Sequence, residues 1–376
     1  MKKRIDMPLL LISLDAIEDT LYESMANDPV KYPNISRLMK KGYYQNNIKT
    51  LTLSNTHPVH TSVITGKYPF EHGITSDYTL DKKDHRHYQQ FHNQINAKTL
   101  WSAAKEKNLK TAAFLWPVTC GAKIDHHLPL YHPVQKKQDN HYHFTKNLKY
   151  GRKGFQIKSY LKNKKYLKGL SQPNLDNFLC SSLAMLLKKD TPDFVAVHLS
   201  AYDAIFHEVG QSNASALEIA KTALDYNIGR ILSIWRNKPV LLFSAHAALP
   251  VNIPINLNID YPNRHFFQNG GVAFGKRIDT DAVDQHWFNR YLSKEEMHES
   301  GLSGIYAFGI AANPGYAFSD HPVMGEHGYP SDYANYRVFY HYSHELDYDD
   351  QLKGDLFDVT YIIARELGLE MDIVRR

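Results

Sequence analysis

The alternation of short apolar runs with amphipathic helical patterns constrains the fold of this chain most strongly. Short, continuous apolar runs are typical of strands buried on both faces, and we predict such strands at 9–14, 111–115, 194–199 and 240–244. Apolar residues at helical spacing predict helices at 35–41, 174–189 and 212–235. This order of elements predicts an α/β fold with a mainly parallel central sheet and helices on both faces.

The domain organisation follows from length and local composition. With 376 residues, of which 43% are apolar, the chain can form one large α/β domain, and we predict a single domain over residues 1–376. Residues 132–170 form a basic excursion rich in lysine and tyrosine. A solvated surface segment is favoured there over a basic rim that attracts phosphate-bearing substrates. The irregular stretch 255–325 is predicted to be a small cap or lid.

Charge and the N-terminus bear on partners and localisation. A net charge of +5 is small for a chain of this size, so nucleic-acid binding is disfavoured. The basic N-terminus and its apolar run imitate a secretory signal, but the run meets Asp15 before a small-residue cleavage site. We therefore predict a cytoplasmic protein without a membrane segment. Cys120 and Cys180 are predicted to be buried, reduced thiols.

Carboxylates and imidazoles follow the predicted strands. Asp15 comes directly after the first strand, Asp203 and His207 follow the third, and His246 follows the fourth. A spacing of four places Asp203 and His207 on one side of a helical turn, and His327 lies in a glycine-bounded loop. Together these side chains suit zinc or a similar metal. Taken singly, Asp15 is equally consistent with a helix N-cap, and a lone histidine is more often structural.

A threonine marks the start of another predicted helix. Pro58 lies just inside a helix that runs to Thr65, so Thr56 is at its N-terminus. Free backbone N–H groups and the helix dipole make that position suitable for a phosphate. The Thr56 hydroxyl is a candidate nucleophile if a metal lowers its pKa. From this segment alone, a simple N-cap role for Thr56 is equally consistent.

Several motifs resemble one known family. The segments are Thr56-His57-Pro58, Thr65-Gly66-Lys67-Tyr68-Pro69, His72-Gly73-Ile74, residues 99–104 and 109–117, the Asp203/His207 pair and His327-Gly328-Tyr329. Their order and spacing over about residues 8–340 resemble the type I phosphodiesterase/nucleotide pyrophosphatase family of the alkaline phosphatase superfamily. The resemblance implies an alkaline phosphatase-like fold.

The resemblance also implies a two-zinc site at the carboxyl edge of the sheet, with manganese or magnesium as alternatives. One metal would be held by Asp203, His207 and His327. The other would be held by Asp15, Thr56 and His246. In such enzymes the threonine attacks phosphorus in line, and the resulting phospho-threonine is then hydrolysed.

Two positions depart from the family pattern. Where the family has Ser-Asp-His-Gly, this chain has Ser244-Ala245-His246-Ala247, so a metal-binding carboxylate is missing. The metal on the Thr56 side is therefore expected to be weak or absent. Asp77 replaces an asparagine that donates a hydrogen bond to phosphate, and an ionised carboxylate cannot donate. Asp77 is a candidate phosphate-site residue and replacement metal ligand; loss of function by drift is the alternative.

The sequence favours a metal-dependent phosphohydrolase that acts on phosphodiesters or nucleotide pyrophosphates. The expected partner is a small phosphate-bearing substrate such as a nucleotide, and the oligomeric state stays open. A phosphomonoesterase or phosphonate hydrolase is a second enzymatic interpretation, because this fold supports related chemistries. The third interpretation, favoured by Ala245 and Asp77, is a non-catalytic or weakly active relative that binds a phosphate-bearing ligand.

Overall fold

The computed structural model describes residues 7–80, 85–133, 144–167, 172–276 and 285–374. Within these ranges the strands are β1 (Leu9–Leu14), β2 (Tyr43–Ile48), β3 (Tyr78–Leu80), β4 (Arg86–Tyr88), β5 (Thr111–Phe114), β6 (His126–Leu128), β7 (Phe194–Leu199), β8 (Val240–Phe243), β9 (Leu249–Ile255), β10 (Phe266–Asn269), β11 (Val272–Gly275), β12 (Phe288–Tyr291), β13 (Phe308–Ala312), β14 (Gly315–Phe318), β15 (Gly325–Glu326) and β16 (Val338–Tyr342). The helices are α1 (Asp19–Ala26), α2 (Pro33–Met39), α3 (Thr56–Thr65), α4 (Pro69–His72), α5 (Leu100–Glu106), α6 (Phe144–Asn147), α7 (Lys153–Asn163), α8 (Asn174–Leu187), α9 (Ala201–Val209), α10 (Ala214–Ile234), α11 (Leu257–Asp260), α12 (Lys294–Glu299) and α13 (Phe357–Glu366).

A seven-stranded sheet forms the centre of the molecule. Its strand order is β2-β16-β8-β1-β7-β5-β6. The pairs from β8 through β6 are parallel, whereas β16 pairs antiparallel with both β8 and β2. The expected mainly parallel sheet is therefore confirmed, and its carboxyl edge lies where β1, β7 and β8 end.

The predicted buried strands are present, and their side chains alternate between two cores. In β1, Leu9 and Leu11 belong to one hydrophobic cluster, while Leu10 and Ile12 belong to the cluster on the opposite face. All six residues of β1 are buried, as they are in β7. Strands β5 and β8 end one residue before the predicted boundary.

The predicted helices lie on both faces of the sheet. Helices α3, α5 and α13 contribute to the first core, and α2, α8 and α10 contribute to the second. Helix α3 begins at Thr56 and ends at Thr65, as predicted, and the following Gly66 has a φ of 70°, the left-handed conformation that glycine tolerates best. All residues of α3 after Thr56 are buried, so the helix lies inside the fold with its N-terminus at Thr56.

Two segments singled out by composition can be located in part. Of residues 132–170, positions 134–143 and 168–170 lie outside the described residues, and the remainder includes α7, which packs against β6 and α8. The stretch 255–325, of which 277–284 are not described, contains the antiparallel sheet β10-β11-β13-β12. Whether it moves as a lid stays a prediction, as does the single-domain organisation.

In the described part of the chain, every helix is too short or too polar to cross a membrane. Cys120 and Cys180 are buried and unpaired, as predicted.

Candidate active site

A large cleft lies at the carboxyl edge of the central sheet. Its volume is about 1470 Å³. The sequence-predicted side chains that line it are Asp15, Thr56, Asp77, Asp203, His207 and His327. Because parallel strands end at the same edge, loops distant in sequence place their polar side chains together here. The cleft is the candidate active site.

The first predicted ligand set is assembled in the structure. Asp203 and His207 lie one turn apart on α9, and His327 follows β15. Their candidate ligand atoms all lie within 4.8 Å of one another. The rings of His207 and His327 are 5.0 Å apart between centroids. The fold thus brings the chain's predicted Asp-x-x-x-His pair and its distant histidine to one point.

Three observations show that this set suits a cation. Asp203 Oδ1 is buried and accepts no hydrogen bond, so its charge depends for compensation on the imidazoles around it, a role that a bound cation would share. His207 Nδ1 donates to the Gly325 carbonyl at 2.8 Å, and this bond directs Nε2 toward the cleft. Nε2 lies 3.4 Å from Asp203 Oδ1, close to the roughly 3.4 Å that separates two ligands of a tetrahedral zinc ion.

The ionisable groups of this set shift one another's pKa values. Burial alone would raise the pKa of Asp203, but the neighbouring His207 outweighs it and lowers that pKa to about 2. Burial alone would lower the pKa of His207, yet Asp203 and Glu326 raise it to about 10. Burial lowers the pKa of His327 well below its usual value. Without a cation the group therefore carries the Asp203 carboxylate, a protonated His207 and a neutral His327. A divalent cation bound here would displace the His207 proton and take all three side chains as ligands.

A second group surrounds Asp15. The candidate ligand atoms of Asp15, His60 and His198 also lie within 4.8 Å of one another, and all three residues are buried. His198 Nε2 is 2.5 Å from Asp15 Oδ2, and His60 Nε2 is 3.6 Å from Oδ1. Burial would raise the pKa of Asp15, but these imidazoles hold it well below its usual range. Because an ionised carboxylate can only accept hydrogen bonds, His198 donates to it.

Thr56 and His246 lie between the two groups. Thr56 Oγ1 is 3.4 Å from His246 Nε2, and that nitrogen is 3.9 Å from Asp15 Oδ2. The rings of His246 and His327 have centroids 4.2 Å apart, which joins the two groups into one polar centre. The Thr56 hydroxyl thus projects from the N-terminus of α3 into the middle of the predicted ligand residues.

Comparison with known sequences identifies the family. A profile of the type I phosphodiesterase/nucleotide pyrophosphatase family matches residues 9–330, most of the chain. The chain belongs to this family. It is 31% identical over 116 residues to ectonucleotide pyrophosphatase/phosphodiesterase family member 1 of Homo sapiens, and 21% identical over 334 residues to bis(5'-adenosyl)-triphosphatase enpp4 of Xenopus laevis. The matches cover 29% and 82% of this chain but 12% and 66% of those relatives, less than two thirds of each.

Solved structures show the same alkaline phosphatase-like fold. An inactive variant of murine ectonucleotide pyrophosphatase/phosphodiesterase 5 in complex with AMP has a TM-score of 0.65 at 15% identity, covering 98% of this chain and 97% of that one. Phosphonoacetate hydrolase from Sinorhizobium meliloti 1021 in complex with phosphonoformate has a TM-score of 0.71 at 13% identity, covering 96% of both chains. The alkaline phosphatase-like fold predicted from the sequence is confirmed.

The second ligand set of the type I phosphodiesterase pattern fits a cation poorly here. Ala245, which stands at the position of a family aspartate, is fully buried and offers a methyl group. His246 Nε2 lies 3.9 Å from Asp15 Oδ2, close enough to share a cation, so the missing carboxylate rather than this distance distinguishes the second set from the first. The carboxylate oxygen nearest His246, Asp15 Oδ2, already accepts a hydrogen bond from His198. Asp15, Thr56 and His246 are therefore close together but do not form a closed set of donors.

Asp77 occupies the N-terminal end of α3. Its Oδ1 accepts a hydrogen bond from the backbone N–H of His57 at 2.7 Å. The carboxylate thus interacts with the positive end of the helix, where a phosphate would also bind. Neither of the two metal-ligand groups found among the described residues includes Asp77. Its suggested role as a replacement ligand stays a prediction.

The sequence interpretation missed His60 and His198 as members of the centre. His198 lies inside β7, opposite Ser13 in the register with β1, in a run otherwise composed of apolar residues. His60 lies within α3, and its ring is completely buried. One signal could have indicated both residues: each is a histidine at a position where the surrounding apolar pattern predicts a buried side chain, on the same face of the sheet.

Proposed function

We propose that this chain is a metal-dependent phosphohydrolase that cleaves phosphodiester or nucleotide pyrophosphate bonds, with Thr56 as the nucleophile. The observation that carries the proposal is the position of the Thr56 hydroxyl. It lies at the N-terminus of α3, inside the cleft, between Asp203, His207 and His327 on one side and Asp15 with His246 on the other. Membership of the type I phosphodiesterase family supports the same chemistry.

The proposed roles follow from the positions of the residues. A zinc ion held by Asp203, His207 and His327 supplies positive charge to the phosphoryl oxygens when bound. The N-terminus of α3 orients the anionic group toward Thr56 through its backbone dipole. Thr56 Oγ then attacks phosphorus and loses its proton, the bond to the leaving oxygen breaks, that oxygen takes up a proton, and a phospho-threonine forms. Water cleaves the phospho-threonine in a second step and regenerates the hydroxyl.

The proposed substrate is a small phosphate-bearing molecule, with nucleotides as the first class to test. The cleft volume of about 1470 Å³ is larger than a typical pocket for a single small ligand. Of the related proteins, the murine enzyme is described in complex with AMP, and the Xenopus relative is named a bis(5'-adenosyl)-triphosphatase. Both facts support nucleotide-containing substrates for this chain.

Ala245 supports a second candidate function, in which the cleft binds a phosphate-bearing ligand with little or no turnover. A buried methyl group replaces a metal-binding carboxylate there. In that case the protein binds AMP but does not hydrolyse diesters under zinc, manganese or magnesium. A phosphonate hydrolase is tested in the same experiment with phosphonoacetate as substrate.

The test compares initial rates of wild type, Thr56→Ser and Thr56→Ala on a nitrophenyl phosphodiester, the corresponding monoester and phosphonoacetate. We expect diester hydrolysis that depends on added metal and falls at least ~10³-fold in Thr56→Ala, because loss of a nucleophile removes the chemical step. Thr56→Ser keeps a hydroxyl and should retain part of the activity. AMP binding with diester rates equal in wild type and Thr56→Ala would support the binding function instead.

We also propose that the protein acts in the cytoplasm, where the sequence interpretation placed it. The support is that Cys120 and Cys180 are both free thiols, which is usual for proteins of a reducing compartment. Fractionation of cells that express the untagged protein tests this. Recovery outside the cytoplasmic fraction would refute it.

A further inference from the structure

The inference concerns the environment of the Asp15 carboxylate, the acidic member of the second ligand set. Asp15 follows β1, is 1% exposed and is held at its backbone by a hydrogen bond to the Leu199 carbonyl. A buried carboxylate needs a compensating donor or cation. In the family pattern a metal provides this compensation, and a second aspartate helps to bind that metal; Ala245 occupies the position of that aspartate in this chain.

His198 supplies the compensation from inside the protein. The β1–β7 register places it opposite Ser13, so its ring reaches the carboxylate that follows two residues later. Nε2 donates to Asp15 Oδ2 at 2.5 Å, and Nδ1 lies 3.2 Å from the Leu115 carbonyl, which can only accept. Two acceptors thus hold the ring in place, and His198 is 6% exposed.

The distances distinguish this arrangement from a metal site. Two ligands of one zinc ion are separated by roughly 3.4 Å, the value found between Asp203 and His207. The 2.5 Å between His198 and Asp15 is a hydrogen-bond distance, too short for two ligands of one ion. The oxygen that accepts this bond is the same Oδ2 that lies 3.9 Å from His246. A second cation would have to compete with His198 for it.

We propose that His198 takes the place of the second metal on Asp15, so that the centre binds one divalent cation per chain, at Asp203, His207 and His327. The loss of the carboxylate at position 245 and the presence of His198 are then two parts of one arrangement. The inference rests on the proposed function because it concerns the same cleft. It deepens that function by stating that the centre binds one divalent cation per chain.

The first experiment counts and locates zinc in the 376-residue chain. After zinc loading and dialysis, elemental analysis should give one zinc per chain. Anomalous diffraction at the zinc edge should show its peak beside Asp203 and His207. Two zinc ions per chain, or a peak beside Asp15, would overturn the inference and leave the proposed function intact. A count of zero would overturn both.

Two variants test whether His198 and position 245 act together. Ala245→Asp restores the carboxylate, and Ala245→Asp/His198→Asn also frees Asp15 from its internal donor. We expect two zinc ions per chain in the double variant and fewer in the single variant. His198→Asn alone is the matched control and should still bind one zinc ion per chain. A decrease to zero in that control would mean that His198 is itself a ligand, which overturns the inference. Circular dichroism checks that each variant is folded, and the wild-type count stands independently of the variants.

Discussion

Replacing Asp203 by asparagine removes the negative charge of the first ligand set while keeping the size of the side chain. In the structure Asp203 Oδ1 accepts no hydrogen bond, but it lies 3.4 Å from His207 Nε2, so the substitution also removes this ion pair. Comparing each variant with and without zinc separates that cost from the effect on metal binding. The expected loss is in metal binding. Loss of a residue that merely orients a ligand weakens metal binding by about 10–100-fold, so loss of the ligand charge should cost at least ~100-fold.

The effect on stability follows from linkage. With zinc at ~1000 times the wild-type Kd, binding stabilises the native state by about 4.1 kcal/mol, and a 100-fold weaker site gains about 1.4 kcal/mol at the same concentration. For a chain of 376 residues the unfolding entropy is about 0.8 kcal/mol per K. The difference of about 2.7 kcal/mol therefore corresponds to a zinc-dependent Tm increase that is about 3 °C smaller in Asp203→Asn.

Thermal denaturation with and without zinc measures this difference. Glu208→Gln is the matched control, because it makes the same acid-to-amide change on α9 at an exposed position outside both metal-ligand groups of the described residues. The control should show the full wild-type increase in Tm. An Asp203→Asn variant with the full increase would refute the assignment of this set as the metal site.

Three further predictions concern the neighbouring structure. Asp77→Asn keeps an oxygen that can accept from the His57 N–H group, so we expect an unchanged zinc content; a lower content by elemental analysis would instead identify Asp77 as a ligand. Gly270→Ala places a methyl carbon 2.2 Å from the His327 carbonyl oxygen at a φ of +65°, so we expect a loss of at least ~1–3 kcal/mol in urea unfolding and weaker zinc binding by calorimetry; wild-type values in both would contradict the close approach. Burial raises the pKa of Cys120 to about 12, so a thiol reagent at pH 8 should react far more slowly with the native than with the urea-unfolded protein, and equal rates would show that the thiols are accessible.

The proposed chemistry and the proposed stoichiometry are separable. The Thr56 hydroxyl lies close to His246 and at the N-terminus of α3. Neither contact requires a second cation, so Thr56 keeps both when only the site at Asp203 is occupied. The rate assay with Thr56→Ala reports on the nucleophile, whereas the zinc count reports on the ligand sets. Each result can therefore be interpreted without the other.

The sequence by itself determined the local elements. Apolar runs long enough for buried strands identified β1 and β7, and the Thr-x-Pro segment with its terminal glycine placed the N-terminus of α3 at Thr56. The i, i+4 spacing was sufficient to predict that Asp203 and His207 share one side of a helix, because that relation depends on helix geometry alone. Family motifs then indicated the fold.

Tertiary structure alone decided what surrounds Asp15. The hydrogen bond from His198 depends on the register between β1 and β7, two strands separated by most of the first half of the chain. The contact of His60 depends on how α3 packs across the sheet. Apolar patterning specifies which face of an element is buried, but it does not specify which buried polar atoms form hydrogen bonds with one another. Those hydrogen bonds arise from packing between distant segments. They determine whether a carboxylate is available to a metal or already bonded within the fold.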